Sequence, residues 1–567
     1  MTFKSARAAA LLLTVSIALF FSPYTAAQDT APEETAIDRY VKQPDPSYTW
    51  KVVSSKVEDG VHIVVIDMTS QTWLTPDKVN RTKWQHWVTL AFPEKVKSNV
   101  AMLMIGGGSN GRAAPNGPDQ MVIQVAKASG TVVAELRMTP NQPLIFHNDG
   151  RPRVEDDLIG YCWDQYLQTK DPNWLPRNAM VKGAVRAMDT ITAVMASETG
   201  NHQTVDQFVV AGASKRGWTT WLTGAVDKRV VGIVPIVIDV LNVNTSMRHH
   251  FAAYGFWAPA VGNYVQHRIM ERMSDPALED LYKLVDPFAY RDRLTMPKLV
   301  LNAAGDQFFL PDSSQFYWDG LPSPKAIRYV PNTDHGMDGS DAIETVSAFY
   351  LGIVNKRPLP QFDWKINEDG TIRVAAKDKP RELRLWQATN PEARDFRLET
   401  LGKKYTSQLV ELNGEGEYVA KVPEPEAGWT AFFVEATYDN GATVPLKVTS
   451  GVRVVPDVLP FAGKDPSQPA SVTVIGSTLD KAAAEAIRAG VEALVKQGKF
   501  PDDDVEIRVE GQRCYVNWQT APDRFHDEAG GLAKFLEGQG CRTVSFQLES
   551  GPEITLPPNG QLESIGK

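Results

Sequence analysis

The stretch Gln207-Phe208-Val209-Val210-Ala211-Gly212-Ala213-Ser214-Lys215-Arg216-Gly217-Trp218 decides the fold. Phe208 to Ala211 read as a short apolar β-strand, Gly212-Ala213-Ser214 as a sharp turn, and the residues from near Trp218 as a helix. That is the layout of a nucleophile elbow, a strand-to-helix turn tight enough to lift a serine hydroxyl clear of the sheet. Small residues at Gly212 and Ala213 suit it, because a bulky Cβ there would strike the neighbouring chain. The second glycine of the usual Gly-x-Ser-x-Gly arrives one place late, at Gly217, with Arg216 before it. A bare Gly-x-Ser also occurs in ordinary strand–turn–helix connections, so the surrounding sequence has to decide.

A nucleophilic serine needs a base, and the base needs a group to orient it. In the α/β-hydrolase layout the acid and the histidine follow the serine in chain order. Lys298 to Ala303 is an apolar strand that runs into Ala304-Gly305-Asp306, and Ala326 to Pro331 is a further strand followed by Asn332-Thr333-Asp334-His335. Ser214, Asp306 and His335 each stand just past the carboxyl end of an expected strand, where an open α/β sheet places its ligands. Asp239 also ends an expected strand, Arg229 to Asp239, and is the rival to Asp306.

Upstream, Asn99 to Ile105 is a strongly apolar strand leading into Gly106-Gly107-Gly108-Ser109-Asn110-Gly111. In this layout such a loop lends a backbone N–H to an oxyanion hole, so Gly107 and Gly108 are candidate donors beside the N–H of Lys215. No Lys-Ser or Lys-Thr follows at P-loop spacing, which argues against a phosphate cradle. The Lys215 side chain has two readings, a surface lysine at a helix start or a cation turned toward developing negative charge or an anionic substrate group.

Strands at Tyr48 to Lys56, Val61 to Thr69, Trp84 to Phe92 and Gly130 to Met138, and a helix over Arg177 to Glu198, complete an alternating pattern. Strands alternating with helices give an open, mostly parallel sheet covered on both faces. The hydrolase domain is expected over residues 36–360, with a helical cap inserted at about 240–292 and a last helix from Ser340 to Asn355. His249 and His250 lie in the cap, yet no spaced Asp, Glu or Cys completes a ligand set, so neither a metal nor a cofactor is expected.

From residue 363 to 455 short alternating strands, including Val444 to Val454, replace the helices and suggest an immunoglobulin- or fibronectin-like β-sandwich. Residues 470–550 read as β-α-β-β-α-β, a small ferredoxin-like α+β domain. Cys514 and Cys541 fall on strands that are not neighbours in that order, which argues against a bridge. With Cys162 they make three cysteines, too few for a disulfide scaffold. Neither tail domain carries a catalytic constellation, leaving them packing, partner-binding or surface roles.

Residues 1–27 read as a secretory signal peptide: Lys4 and Arg7, an apolar run from Ala8 to Phe21, and Thr25-Ala26-Ala27 as the cleavage site. The product is expected in the periplasm or outside the cell, with no membrane span once the signal is removed. A net charge of -9 over 567 residues is mild and argues against nucleic acid as a partner.

Gly212-Ala213-Ser214-Lys215-Arg216-Gly217-Trp218-Thr219, the export signal and Gly305-Asp306-Gln307-Phe308-Phe309 together resemble the PhoPQ-activated pathogenicity-related protein family. The resemblance covers most of the chain after the signal, most strongly from Thr49 to Asn355. It implies an α/β-hydrolase fold, secretion, and a link to PhoPQ-controlled envelope stress or virulence. A social-amoeba member of that family is a secreted repressor of proliferation, and the late-glycine elbow also occurs in glucuronoyl esterases. Two functional classes stay open. One is a serine hydrolase cleaving an ester or amide bond of a small-molecule, peptide or glycan substrate. The other is a non-catalytic secreted binding or signalling protein on a hydrolase scaffold.

Overall fold

A nine-stranded sheet organises the computed structural model, which describes residues 34–439, 441 and 444–467, and the backbone of strands at 471–476, 505–510, 513–519, 544–548 and 553–556. Its strands are β1 (Thr49–Glu58), β2 (Val61–Thr72), β3 (Lys83–Pro93), β4 (Val100–Ile105), β5 (Val133–Leu136), β6 (Gln207–Ala213), β7 (Val230–Ile236), β8 (Lys298–Ala303) and β9 (Lys325–Val330). The helices of this region are α1 (Ala36–Lys42), α2 (Gln120–Ser129), α3 (Glu155–Thr169), α4 (Pro176–Ala196), α5 (Lys215–Val226), α6 (Val243–Tyr254), α7 (Gly262–Gln266), α8 (Pro276–Val285) and α9 (Ala342–Val354).

The strand order is β1-β2-β3-β5-β4-β6-β7-β8-β9. The β1 to β5 side is antiparallel, and β5, β4, β6, β7, β8 and β9 run parallel. This is the mixed, mostly parallel sheet of the α/β-hydrolase fold. Central strands are buried on both faces, which is why β6 reads as a continuous apolar run. Its alternate residues serve different layers. Phe208 and Val210 join the core under α4 and α5, while Val209 and Ala211 join the one under α2 and α9. Pro176 opens α4 at a position where its missing N–H costs no bond. The expected cap is helical, made of α6, α7 and α8 with short 3₁₀ turns between them.

The order also locates a crevice. From β4 the chain crosses to β5 on one side, then returns to β6 on the other. Loops leaving β4 and β6 therefore diverge, and a parallel sheet binds ligands at such a switch point, beyond the carboxyl ends of its strands. The glycine loop after β4 and Ser214 after β6 both stand there.

Two antiparallel sheets follow. Strands β10 (Phe362–Ile366), β11 (Ile372–Ala376) and β14 (Glu417–Ala420) form one. The other holds β12 (Glu382–Asn390), β13 (Thr406–Leu409), β15 (Trp429–Tyr438), β16 (Leu446–Thr449) and β17 (Arg453–Val455). The short helix α10 (Leu398–Leu401) lies in the β12–β13 connection. This part packs against β9, the last strand of the main sheet. The N–H of Tyr329 donates to Thr449 Oγ1 at 3.0 Å, and Phe433 lies 6.3 Å from the Tyr329 ring. An exposed edge strand would be a template for pairing with other chains, and these two sheets cover this one. The last sheet, β18 (Ser471–Gly476), β19 (Val505–Glu510), β20 (Arg513–Gln519), β21 (Val544–Leu548) and β22 (Glu553–Leu556), has the order β19-β20-β18-β21-β22. Its first four strands are arranged as a βαββαβ chain arranges them.

Several expectations need correction. Helix α5 begins at Lys215, three residues before Trp218, because the helix starts directly from the strained turn and Gly217 lies inside it. Helices α2 and α3 stand in a region where no helix was expected. Val444 to Val454 is broken at Ser450, whose Oγ takes the N–H of Val434 in place of a ladder carbonyl and splits the run into β16 and β17. Strand β22 lies beyond residue 550. The signal peptide, Cys541 and the helices expected over 480–497 and 526–537 lie outside the described residues. No helix among the described residues is long and apolar enough to cross a membrane.

Candidate active site

Ser214 sits at the elbow between β6 and α5 with φ 56° and ψ −124°, a region that L-residues enter only under strain. Steric contact explains both glycines. A Cβ on Gly212 would lie 2.7 Å from the Arg216 carbonyl oxygen, and one on Gly217 would lie 2.9 Å from the carbonyl oxygens of Gly212 and Ile236. The turn closes on itself at these two points, so the late glycine at Gly217 meets a need that Arg216 does not have. Arg216 turns its side chain away, donating 2.6 Å and 2.9 Å bonds to the two carboxylate oxygens of Glu155 and a 2.6 Å bond to the Thr139 carbonyl. Its guanidinium lies over Gly107, where a Cβ would come within 2.7 Å of Nη2. A side chain at residue 107 would displace Arg216.

The strands bring the other two candidates to the same edge of the sheet. Ile236 on β7 pairs with Leu301 on β8, and Leu301 pairs with Arg328 on β9. Asp306 and His335 follow these two strands. His335 Nδ1 and Asp306 Oδ2 are 2.8 Å apart, and the other oxygen of Asp306 accepts the Phe308 N–H at 2.7 Å. The His335 backbone N–H donates to Gln307 Oε1 at 3.0 Å, and the Phe308 ring lies 4.4 Å from the imidazole. His335 Nε2 is shielded from solvent and has no hydrogen-bond partner among the described residues. The imidazole is thus held at one nitrogen and unengaged at the other.

Asp239 bonds other groups than the histidine. It is buried against two phenols, with Tyr317 Oη at 2.5 Å and Tyr329 Oη at 2.6 Å. Burial pushes its carboxyl up to about 8, and the tyrosine hydroxyls offset this only in part.

The surface reading of the Lys215 side chain does not hold. Lys215 is buried, with Nζ 2.7 Å from Asp156 Oδ2 and 3.2 Å from Glu155 Oε2. Tyr264 from the cap donates to the other oxygen of Asp156 at 2.9 Å. Burial alone would raise the Glu155 carboxyl, but Arg216 and Lys215 outweigh it and hold it at about 2. The cation at the start of α5 is therefore neutralised by the acidic first turn of α3. The Lys215 N–H is a different matter. As the first residue of α5 it has no acceptor within the helix. In the loop after β4, the carbonyls of Gly106 and Gly107 accept the N–H groups of Thr139 and Met138 at 3.1 Å and 2.7 Å, and Gly108 has φ 127°.

His249 does meet a carboxylate, Asp312, at 3.1 Å to each oxygen, but Arg394 completes that cluster at 2.6 Å. The group is an ion-pair network. No set of three His, Cys, Asp or Glu side chains able to hold a metal exists among the described residues.

Sequence reasoning passed over Glu155, Asp156 and Gln307. The run Glu155-Asp156-Asp157 was a usable signal, being an acidic first turn awaiting a cation. Gln307 stands next to Asp306 in the chain, but nothing local says that its amide turns to the His335 backbone.

Residues 37–397 match the family described as PhoPQ-activated pathogenicity-related protein. The chain belongs to that family. Autocrine proliferation repressor protein A of Dictyostelium discoideum is 38% identical to this PhoPQ-related chain over 458 residues, 75% of this chain and 92% of that one. Among solved structures, an acetyl xylan esterase from Paenibacillus sp. R4 aligns with 56% of this chain and 92% of its own, at 14% identity and a TM-score of 0.40. A glucuronoyl esterase from Solibacter usitatus aligns with 57% of this chain and 92% of its own, at 14% identity and a TM-score of 0.32. The PhoPQ-related match runs past α9 and β12, so it takes in Arg394 and Arg397.

Proposed function

We propose that this protein is an exported serine hydrolase that cleaves an ester or amide bond through a Ser214 acyl-enzyme. In the first half-reaction Ser214 Oγ attacks the scissile carbonyl carbon while His335 Nε2 takes the hydroxyl proton. Collapse of the tetrahedral intermediate expels the alcohol or amine, which receives that proton from His335. In the second, water attacks the acyl-enzyme with His335 again as base, releasing the carboxylic acid and restoring Ser214. Asp306 holds the imidazole with Nδ1 protonated. The backbone N–H of Lys215, with those of Gly107 or Gly108, is the assigned donor set for the oxyanion.

The observation that carries this reading is the His335–Asp306 pair, with its 2.8 Å bond on one nitrogen and an unengaged Nε2 on the other. It lies on the sheet edge that also bears the strained serine. The substrate is an ester or amide of a small molecule, peptide or glycan. Export to the periplasm or beyond and a place in a PhoPQ-controlled envelope response remain part of the proposal.

One observation favours a second reading. A relative 38% identical over 92% of its length bears the name of a proliferation repressor, which suits a secreted signalling protein on a hydrolase scaffold. A fluorophosphonate probe, which reacts with activated serines, separates the two. The hydrolase reading expects labelling of the native protein and none of Ser214→Ala. An unlabelled native protein would leave the signalling reading in its place.

A further inference from the structure

The connection from Asn390 to Tyr405 leaves strand β12 and runs along the candidate site. At its start Arg394 donates to Asp312 Oδ2 at 2.6 Å, and Asp312 also meets His249 of the cap. Both charged partners are nearly without exposure, with Arg394 and Asp312 at 3% and 4%. Burial would raise the Asp312 carboxyl, yet Arg394 and His249 hold it well below the usual carboxylate range. Further along, Arg397 is fixed by Asp395 and lies over the cap rings of Tyr254 and Phe256 at 5.2 Å and 5.5 Å.

The next contacts reach the loops that carry Asp306 and His335. The Leu398 N–H donates to the Gly305 carbonyl at 2.9 Å, one residue before Asp306. The Gly305 N–H in turn donates to the Thr333 carbonyl at 3.0 Å, two residues before His335. A Cβ on Gly305 would lie 2.8 Å from Thr333 O and 3.0 Å from Leu398 N, so three backbones meet there with no space for a side chain. Asn332 and Tyr405 form a reciprocal pair, side-chain amide to backbone N–H and C=O, at 2.9 Å each. Asn332 has φ 58°, a conformation that an Asn tolerates and that this pair holds in place.

We infer that the Asn390–Tyr405 connection is a positioning clamp for the Asp306–His335 pair, with Leu398 and Asn332 as its positioning residues. The inference rests on the serine-hydrolase reading. The acid and the base come from separate loops, and their 2.8 Å bond requires both to be fixed. The clamp ties each loop to a third element from outside the sheet. It also gives the β12–β13 connection, which lies beyond the main sheet in the chain, a share in the site.

Leu398 permits a narrow test. It is the first residue of α10, where proline is well accommodated, and Arg397 before it has φ −57° and ψ 138°, which a following proline allows. Leu398→Pro therefore replaces the donor to Gly305 with a ring Cδ set against that carbonyl, which both removes the bond and pushes the two loops apart, while Leu398→Ala keeps the donor and removes the leucine side chain. Asn332→Gly keeps the left-handed backbone and removes both bonds to Tyr405. The full-length proteins would be treated with a fluorophosphonate over a range of probe concentrations, separating the maximal labelling rate from the half-saturating concentration, with unfolding followed by calorimetry. Displacing catalytic groups by about 1 Å slows reaction by the order of 10²-fold. The clamp expects Leu398→Pro and Asn332→Gly to label roughly 10- to 100-fold more slowly at saturating probe, with half-saturation unchanged. Leu398→Ala should label near the native rate. Equal slowing in Leu398→Ala and Leu398→Pro would overturn the clamp, and so would native rates in folded Leu398→Pro and Asn332→Gly. If Leu398→Pro does not fold, Asn332→Gly decides alone. An unlabelled native protein would instead remove the hydrolase reading, and this inference with it.

Discussion

Asp239 and Asp306 each lie three residues past the end of neighbouring parallel strands, β7 and β8, and both are buried, at 3% and 4% exposure. By position they are equivalent. Their surroundings are not. Asp306 has His335 Nδ1 on one oxygen and a backbone N–H on the other. Asp239 has a phenol hydroxyl on each oxygen and no ion pair with a cation among the described residues, and burial lifts its carboxyl to about 8. A strand end brings a carboxylate to the edge that carries Ser214, but what faces it there decides whether it can orient a base. Tyr329 comes from β9 itself and Tyr317 from the loop before it, so Asp239 is spent on internal packing.

The sharpest way to break this contrast is Asp306→Asn. It should leave the fold intact and cut turnover on an activated ester by about 10⁴-fold, the scale of a neutralised triad aspartate. A comparable loss in Asp239→Asn, with Asp306→Asn near native, would reverse the roles assigned to the two loops.

A third carboxylate tests the same rule at the other side of the serine. Asp156 is paired with the buried Lys215 and with Tyr264. Lys215→Met removes the cation and strands the acid, which for a buried pair costs about 3–5 kcal/mol of stability. Chemical denaturation of Lys215→Met should show that loss. The Lys215 N–H is untouched, so turnover per folded molecule should stay close to native. A large drop in turnover with unchanged stability would return the ammonium group to the reacting atoms.

The smallest effect belongs to Asp239→Asn, in its pH dependence. Because the folded carboxyl ionises at about 8, far above the ordinary 3.8 of an exposed aspartate, the unfolded chain loses its proton first as pH rises. The stability tied to the neutral acid is complete below about pH 4 and is lost progressively toward pH 8. Asparagine does not ionise, so the midpoint of unfolding should fall less steeply over this range than in the native protein. Calorimetry at a series of pH values reads the difference in slope. Equal slopes would mean that Asp239 is ionised in the folded protein at neutral pH, accepting from both tyrosines.

Residues 207–218 could be read without a partner because an elbow is local. Its geometry depends on backbone angles at Ser214 and on contacts among Gly212, Arg216, Gly217 and one adjacent strand. The strands around it were legible for a related reason, since burial on both faces leaves a continuous apolar run. Helix α3 was passed over although it opens with an acidic first turn and buries Leu158, Ile159, Cys162, Trp163 and Tyr166 along one face. The single strand expected over Val444 to Val454 failed because a buried serine competes with the ladder for a backbone N–H.

The sequence by itself determined the strand-turn-helix at Ser214, the chain order of serine, acid and histidine, and the change from helices to short strands near residue 360. These follow from properties of neighbouring residues: steric room, apolar periodicity and turn chemistry. Tertiary structure alone decided that His335 meets Asp306 while Asp239 meets two tyrosines, that Lys215 is claimed by Asp156, and that Leu398 reaches Gly305. Those pairs join residues far apart in the chain. Several side chains could have served each role equally well by type, and only the packing of the main sheet, the helices α6 to α8 and the antiparallel sheets after β9 selected among them.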